Sequence, residues 1–410
     1  MLKRRDLLLA TTALSLAPSV RAFAAVPTPG PVLVTVFLRG GMDSLGVVAP
    51  VDDRDYVADR PPELRLLPDG DKPALRLDGA PAGLDFRLHP EMGALHDLYK
   101  SKRVALVHAS GLANGTRSHF GAQELIERGI SRTEDTARVN GGWMARWLAA
   151  AGNAQAPAFA ASNGVPEGLA THADTIAAGD LRFGMSLPGG KQAGAVLKSL
   201  YDGGTGAFET AARRTLDGIS LIDGRLRQPD GKVVPYQPGG GAVYEDNEIG
   251  RSLQSVARVM RMDLGIRAFT VDMGGWDTHE NQPPRLANLV GQLSRALGAF
   301  HTDLHQRLGD IVLVVMSEFG RRLRSNKSNG TDHGHAGLTI VSAPRIAGGV
   351  MHGPWPGLAS EKLDNAVDLA LTTDIRSILA ELMAKPLATP NAAATCFPNF
   401  MPRKVGLFAT

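Results

Sequence analysis

The chain has 410 residues, of which 43% are hydrophobic and 21% are charged. This balance is typical of a globular protein with a sizeable core and excludes a largely disordered chain. The net charge is only +3, and no dense run of Lys and Arg follows the first 24 residues. We therefore expect no nucleic-acid partner. The single cysteine, Cys396, excludes a framework of intramolecular disulfides.

Residues 1–24 look like a signal for export. Adjacent Arg4 and Arg5 precede a modestly apolar stretch, and Ala22-Phe23-Ala24 forms an A-x-A cleavage site. The apolar stretch is too short and too polar to span a bilayer stably. Paired arginines are typical of twin-arginine signals, so we expect the twin-arginine translocase to export the precursor. The mature protein is then expected in the periplasm or outside the cell, without a membrane span.

Buried strands alternate with helices along the mature chain, beginning with the continuous apolar run Val32–Leu38. This alternation predicts an α/β fold with a mainly parallel central sheet and helices on both faces. We expect one domain over 31–410, with less legible insertions at about 52–87 and 157–245. In chain order, strands are predicted at 32–38, 104–108, 266–273, 311–316 and 338–342, and helices at 91–100, 116–129, 142–151, 194–226, 246–264, 285–308 and 373–383.

Three of the predicted strands end at residues that bind metals or move protons. Since the ligand sites of open α/β sheets lie beyond the carboxyl ends of the strands, we expect these turns to meet. Asp and Gly also mark ordinary turns after strands, which is the alternative for any single turn. The segments are Arg39–Asp43, Gly274–His279 and Ser317–Arg321, and a later loop adds Thr331–His335.

Asp277 and His279 are the sharpest candidates for metal ligands. Residues two apart in an extended segment project to the same side, so a carboxylate oxygen and an imidazole nitrogen can reach one ion. Zn²⁺ and Mn²⁺ accept this mixed ligation. The alternative is that His279 caps a helix while Asp277 closes a turn. His333 and His335 repeat the spacing in a glycine-flanked loop, where idle, exposed histidines are the alternative.

Glu318 directly follows an apolar run, where burial is costly without a cation. A metal ion or an ion pair with Arg321 or Arg322 would provide that cation. The sequence alone leaves both possibilities open.

Ser118 lies where a loop becomes a predicted helix, between Arg117 and His119. Free backbone N–H groups at a helix start favour an alkoxide or a bound anion, and a nearby metal would lower the pKa of the hydroxyl. Ser118 is therefore a candidate nucleophile, although serine is also a preferred helix cap. Arg39 and Arg117 are candidate clamps for an oxyanion.

Together these motifs resemble an exported bacterial family known only as domain of unknown function 1501. That family is similar in turn to the alkaline phosphatase/sulfatase superfamily, which implies an alkaline phosphatase-like sheet, two divalent metals and a Ser or Thr nucleophile. Carried over to this chain, Ser118 matches the nucleophile, with Arg117, His119 and Arg39 beside it. The metal ligands implied are Asp43, Asp277, His279, Glu318, His333 and His335, although the Asp–His spacing is shortened and Glu318 replaces an Asp-His-Gly motif.

The resemblance implies an exported metal-dependent hydrolase of phosphate or sulfate esters with a serine nucleophile. Its cofactors would be one or two divalent ions, Zn²⁺ or Mn²⁺, and its substrate a small anionic or envelope-derived ester. The alternative is a metal-binding but catalytically silent periplasmic protein that recognises an envelope partner or polymer.

Overall fold

The structure is a computed structural model that describes residues 30–409 except 82, 153–156, 186 and 188. The expected export signal at 1–24 lies outside this part of the chain. Among the described residues, no helix has the length and apolar character needed to cross a membrane.

Twelve strands and eleven α-helices form within the described residues. The strands are β1 (Val32–Leu38), β2 (Val48–Pro50), β3 (Leu75–Arg76), β4 (Phe86–Leu88), β5 (Ala105–Gly111), β6 (Ala158–Ala161), β7 (Thr175–Ala177), β8 (Ala268–Met273), β9 (Ile311–Ser317), β10 (Gly337–Ser342), β11 (Met351–His352) and β12 (Thr373–Asp374). The helices are α1 (Ser44–Val47), α2 (Arg54–Asp59), α3 (Gly93–Lys100), α4 (His119–Arg128), α5 (Trp143–Ala150), α6 (Gly190–Tyr201), α7 (Ala207–Leu226), α8 (Glu248–Met260), α9 (Gln282–Asp303), α10 (Ile375–Ala384) and α11 (Ala392–Cys396).

Nine of these strands form the central sheet, in the order β11-β5-β10-β9-β1-β8-β6-β7 with β12 also paired to β5. Only β10 runs antiparallel to its neighbours among the described pairings. The predicted α/β fold with a mainly parallel sheet is therefore confirmed. β6 and β7, from the second less legible range, extend this sheet, whereas β2, β3 and β4 form a small antiparallel sheet.

The strand β1 explains why helices cover both faces of the sheet. All seven of its residues are buried, and successive side chains point to opposite faces. Val34 and Val36 join a core with α3, α7, α8 and α9. Leu33 and Phe37 join a second core with α4, α5, α10 and α11. A strand that is buried on both faces reads as a continuous apolar run, which is the pattern seen in the sequence.

The three strands that precede the candidate motifs are neighbours, in the order β8-β1-β9. Their carboxyl ends coincide, because Leu38 is in register with both Met273 and Ser317. The antiparallel β10 links β9 to β5, so the loop after β5 and the loop before β10 reach the same edge of the sheet. The fold thus brings five segments of the chain to one site.

Candidate metal centre

Three imidazoles and one carboxylate converge at this edge of the sheet. The Nε2 atoms of His279 and His333 lie 2.8 Å apart. Asp277 Oδ1 lies 3.0 Å from the first and 3.1 Å from the second. Nε2 of His119 lies 3.4 Å from Asp277 Oδ2. We call these four residues the ligand cluster.

Each imidazole of the ligand cluster is held from behind by an oxygen atom at its Nδ1. Since a carboxylate or carbonyl oxygen only accepts, Nδ1–H is the donor in each contact, and the neutral ring keeps its lone pair on Nε2. Histidines that bind metals are generally oriented in this way. The three contacts are His119 to Glu318 Oε1 at 2.8 Å, His279 to Asp332 Oδ1 at 3.2 Å, and His333 to the carbonyl oxygen of Arg117 at 2.8 Å.

This donor set fits a divalent metal ion. Lone pairs on His279 Nε2, His333 Nε2 and Asp277 Oδ1 face one another, which requires a proton or a metal cation among them. Nε2 of His119 is buried and lacks a hydrogen-bond partner within the described part of the chain. Two atoms bonded to one zinc ion at about 2.0–2.1 Å lie at most about 4 Å apart. Each of the four separations given above is therefore compatible with two atoms bound to one ion.

The buried side chain of Arg321 holds the surrounding loops together. Its Nη2 donates to Asp277 Oδ1 at 2.5 Å and to the carbonyl oxygen of Gly40 at 2.6 Å. Its Nη1 donates to the carbonyl oxygen of Thr331 at 2.6 Å. One guanidinium thus ties together the loops that follow β1 and β8 and the loop that precedes β10. Arg321 was a candidate ion-pair partner of Glu318, but it pairs with Asp277 instead.

The local contacts favour a charged Asp277 beside a neutral His333. Partial burial alone would raise the pKa of Asp277, but the hydrogen bond from Arg321 and the contact with His333 outweigh it and hold that pKa well below its usual range. Burial is the main cause that lowers the pKa of His333. The hydrogen bond to Glu318 raises the pKa of His119. Asp277 is therefore an anion at neutral pH.

Glu318 lies behind His119 and does not join the ligand cluster. Its Oε1 accepts from the backbone N–H of Gly40 at 2.9 Å and from Gln123 Nε2 at 2.8 Å, besides His119. Its Oε2 accepts from Ser317 Oγ at 3.0 Å. Oε1 therefore has three donors, one of which is His119, and Glu318 orients that imidazole from the side away from the ligand cluster. We therefore remove Glu318 from the set of direct ligands that the sequence predicted.

Asp43 and His335 also lie outside the ligand cluster. The buried carboxylate of Asp43 pairs with Arg60 and accepts from Gln282 Nε2 at 2.5 Å. His335 uses Nδ1 for Asp364 Oδ2 at 2.5 Å and Nε2 for a backbone carbonyl oxygen at 3.1 Å. Both ring nitrogens of His335 are therefore occupied. Neither residue belongs to the group of potential metal ligands found among the described residues: both ring nitrogens of His335 are engaged, and Oδ2 of Asp43 is bound to Arg60 and Gln282.

Ser118 lies beside the ligand cluster and caps the helix α4. In the chain it lies between Arg117, whose carbonyl oxygen accepts from His333, and the cluster residue His119. Its exposed hydroxyl accepts from the backbone N–H of Gly121 at 3.4 Å. The capping role that the sequence left open is therefore present.

The two candidate oxyanion clamps are engaged in ion pairs. Arg39 contacts Glu127 Oε1 at 3.2 Å and Asp272 Oδ1 at 2.9 Å. Arg117 pairs with the buried carboxylate of Asp368. Nε of Arg117 also donates to the backbone carbonyl oxygen of His333 at 3.2 Å. Both guanidinium groups are thus engaged in structural contacts, and neither contacts a ligand atom of the cluster.

Sequence reasoning missed Asp332, Arg60 and Gln282. Asp332 could have been found, because it directly precedes His333 within the motif Thr331–His335. Arg60 lies in the less legible range that follows β1, and Gln282 precedes the start predicted for its helix. No local pattern connects either residue to Asp43.

The family described as "Protein of unknown function (DUF1501)" has a model that matches residues 247–388. The predicted resemblance is confirmed over this range, which contains three of the four cluster residues. No curated protein matches the chain.

The chain also matches solved structures of low sequence identity. One is the C-terminal periplasmic domain of EptC from Escherichia coli in complex with Zn, with 8% identity, 78% of this chain and 74% of that chain covered, and a TM-score of 0.36. Another is the lipoteichoic acid synthase LtaP from Listeria monocytogenes, with 10% identity, coverage of 81% and 69%, and a TM-score of 0.35. A mutant TAB5 alkaline phosphatase with Mg bound has 10% identity, coverage of 77% and 91%, and a TM-score of 0.32. No residue role is carried over from these structures.

Proposed function

We propose that the chain is a metal-dependent hydrolase whose ligand cluster holds a divalent cation. The observation that carries this proposal is the group of three facing lone pairs on His279, His333 and Asp277, separated by 2.8–3.1 Å. Mixed imidazole and carboxylate ligation suits Zn²⁺ or Mn²⁺. When bound, such an ion lowers the pKa of an attacking hydroxyl or water and offsets negative charge on the transferred group.

We propose a phosphate or sulfate ester as the substrate, either a small anionic ester or one derived from the cell envelope. The side chains of Asp277 and His279 are 47% and 38% exposed, which leaves one side of the ligand cluster open to solvent. Glu318 is buried on the opposite side of His119. A substrate can therefore approach the cluster without displacing the residues that orient it.

Ser118 is the proposed nucleophile. Chain connectivity holds it beside His119, and its capping hydrogen bond of 3.4 Å is long for an interaction of this type. As nucleophile, its oxygen would lose its proton to solvent and bond to phosphorus or sulfur, while the bond to the ester oxygen breaks and the leaving alkoxide takes up a proton. Water would then cleave the serine ester and release phosphate or sulfate. A catalytically silent metal-binding protein that recognises an envelope partner is the second candidate, and the capping role of Ser118 favours it.

Turnover of aryl phosphate monoesters, diesters and sulfates with added Zn²⁺ or Mn²⁺ tests the proposal. The wild-type chain should hold metal and hydrolyse at least one ester class. The double substitution Asp277→Ala, His279→Ala should lose both properties, because it removes two converging donors. His335→Ala is the matched control, since its ring lies outside the cluster, and it should keep its metal. Equal metal content of wild type and double variant in elemental analysis would refute the site.

Ser118→Ala provides the second arm of the same experiment. A nucleophile substitution should abolish turnover and leave the metal content unchanged. Loss of a helix cap alone should cost about 1 kcal/mol of stability and leave turnover largely intact. Intact metal binding without turnover of any ester by the wild type would support the second candidate function.

A further inference from the structure

The carboxylate of Asp43 is paired with the cationic side chain of Arg60. The side chain of Asp43 is fully buried, and its Oδ2 pairs with Nη2 of Arg60, which is also fully buried. In the superfamily that the sequence resembles, Asp43 corresponds to a ligand of a two-metal centre. Here a guanidinium is bound to the carboxylate that a second metal ion would need.

Arg60 cannot readily give way to a metal ion. Its Nε donates to the carbonyl oxygen of Leu64 at 3.0 Å, and its Nη1 donates to that of Leu323 at 3.3 Å. Arginine stays protonated in proteins, so Arg60 cannot lose its charge. Expelling it from Asp43 would leave a buried guanidinium unpaired, which is strongly destabilising.

The other oxygen of Asp43 does not provide an alternative metal site. Oδ1 is buried and makes no hydrogen bond within the described residues. However, the group of potential metal ligands found among those residues consists of His119, Asp277 and His333, and Asp43 is not part of it. A protein site for zinc usually supplies three or four ligands, and a single carboxylate oxygen falls short of that number.

The ion pair of Asp43 and Arg60 is instead connected to the ligand loops. Gln282 donates its Nε2–H to Asp43 and accepts at Oε1 from Thr278 Oγ1 at 3.1 Å and from Thr331 Oγ1 at 2.6 Å. Thr278 belongs to the loop that follows β8 and carries His279. Thr331 belongs to the loop that precedes β10 and carries His333. Through Gln282, the ion pair of Asp43 and Arg60 is therefore connected by hydrogen bonds to both loops.

We infer that this chain binds one divalent ion, in the ligand cluster, and that Arg60 permanently supplies the positive charge of a second. This inference rests on the proposed metal function and specifies its stoichiometry. The guanidinium neutralises Asp43 whether or not metal is present. A chelator therefore removes the divalent ion from the ligand cluster and leaves the Arg60 guanidinium bound to Asp43.

The stoichiometry of the wild-type chain tests the inference directly. The mature chain is loaded with Zn²⁺ or Mn²⁺, dialysed, and measured by native mass spectrometry together with elemental analysis. One ion per chain is expected. Two ions would overturn this inference and leave the proposed function standing, whereas no ion would overturn both.

A double substitution tests the role of Asp43. Asp43→Asn with Arg60→Met removes both buried charges together, so that neither is left unpaired. Asn at this position keeps an oxygen that can accept from Gln282 Nε2, so the ligand loops stay connected and the expected metal content is still one ion per chain, as in the wild type. Loss of the ion from a variant that remains folded by circular dichroism would show that Asp43 is a ligand and overturn the inference. Asp277→Asn is the matched control, and it should bind the ion more weakly.

Discussion

Glu318 and Asp332 act on the centre through the imidazoles that they contact. Each accepts an Nδ1–H, from His119 and His279 respectively, and so directs the corresponding Nε2 toward Asp277. Without the acceptor, the ring can rotate or adopt the other tautomer, and its lone pair no longer faces the cluster. Replacing a residue that orients a metal-binding histidine typically lowers the metal affinity by about 10–100-fold.

We expect Glu318→Gln to weaken Zn²⁺ binding by roughly 10–100-fold. The glutamine keeps the size of the side chain but removes the charge that strengthens the hydrogen bond to His119. Affinity is measured by competition with a chromophoric chelator at about pH 8, where histidine is largely neutral. Because Glu318 raises the pKa of His119, the variant should also retain this imidazole in its neutral form down to a lower pH.

Glu127→Gln is the control for loss of a buried carboxylate. Glu127 is 8% exposed and pairs with Arg39, away from the ligand cluster. Its substitution should leave the Zn²⁺ affinity unchanged. An equal loss of affinity in both variants would show that the effect arises from general destabilisation and not from His119.

At the scale of elements, the turn after β1 and the turn after β8 fit closely together. Gly40 has a φ of 123°, and a Cβ placed there would lie 2.4 Å from the backbone nitrogen of Asp277. Arg321 donates to the carbonyl oxygen of Gly40 and to Asp277 across the same gap. The position of the Asp277 carboxylate therefore depends on a glycine in a neighbouring turn.

We expect Gly40→Ala to lower both the metal content and the melting temperature of the protein. The new methyl group would push the Asp277 backbone away from the ligand cluster, since the atoms it meets belong to the main chain. Metal content by elemental analysis and melting by circular dichroism provide the two measurements.

Gly70→Ala is the control that distinguishes the steric clash at Gly40 from the strain of placing alanine at a positive φ. Gly70 has a comparable φ of 110°, but a Cβ at this position would meet no heavy atom within 4 Å. This control should show only a backbone cost, on the order of 1–2 kcal/mol, and keep its metal. If Gly40→Ala retained as much metal as Gly70→Ala, the packing of the two turns would not position Asp277.

At the scale of the whole molecule, we propose that the protein is exported already folded. Twin-arginine export carries folded proteins, and a fold without disulfides that assembles a metal centre from distant segments is compatible with that route. The single cysteine, Cys396, is buried and free. The mature protein would then act in the periplasm or outside the cell.

Replacing Arg4 and Arg5 with lysine should block export and leave the mature fold unchanged. The reason is that the translocase recognises the paired guanidinium groups of the signal. Cell fractionation followed by immunoblotting measures the export, and circular dichroism of the purified mature chain is the control for folding. Normal appearance of the lysine variant in the periplasm of cells without the twin-arginine translocase would indicate the general secretory route.

Local sequence was sufficient to predict where the site forms. Val32–Leu38, the run before Gly274 and the run before Ser317 are predominantly apolar, with Thr35, Thr270 and Asp272 as polar exceptions, because strands buried on both faces have no polar side. Parallel strands place their carboxyl ends at one edge, so the motifs that follow them had to meet. The convergence of Asp277 and His279 followed from this pattern alone.

Only the tertiary structure decided which side chains face one another. His333 and His335 have equivalent local sequence, yet the carbonyl oxygen of Arg117 orients one toward Asp277, while Asp364 binds the other. The sequence indicates that Asp43 is a ligand, whereas the structure pairs its carboxylate with Arg60, which lies 17 residues further along the chain. Short-range periodicity determines strands and turns, whereas the partner of a buried charge is set by long-range packing. For that reason the sequence determined where the candidate site forms, and the fold determined which side chains converge there.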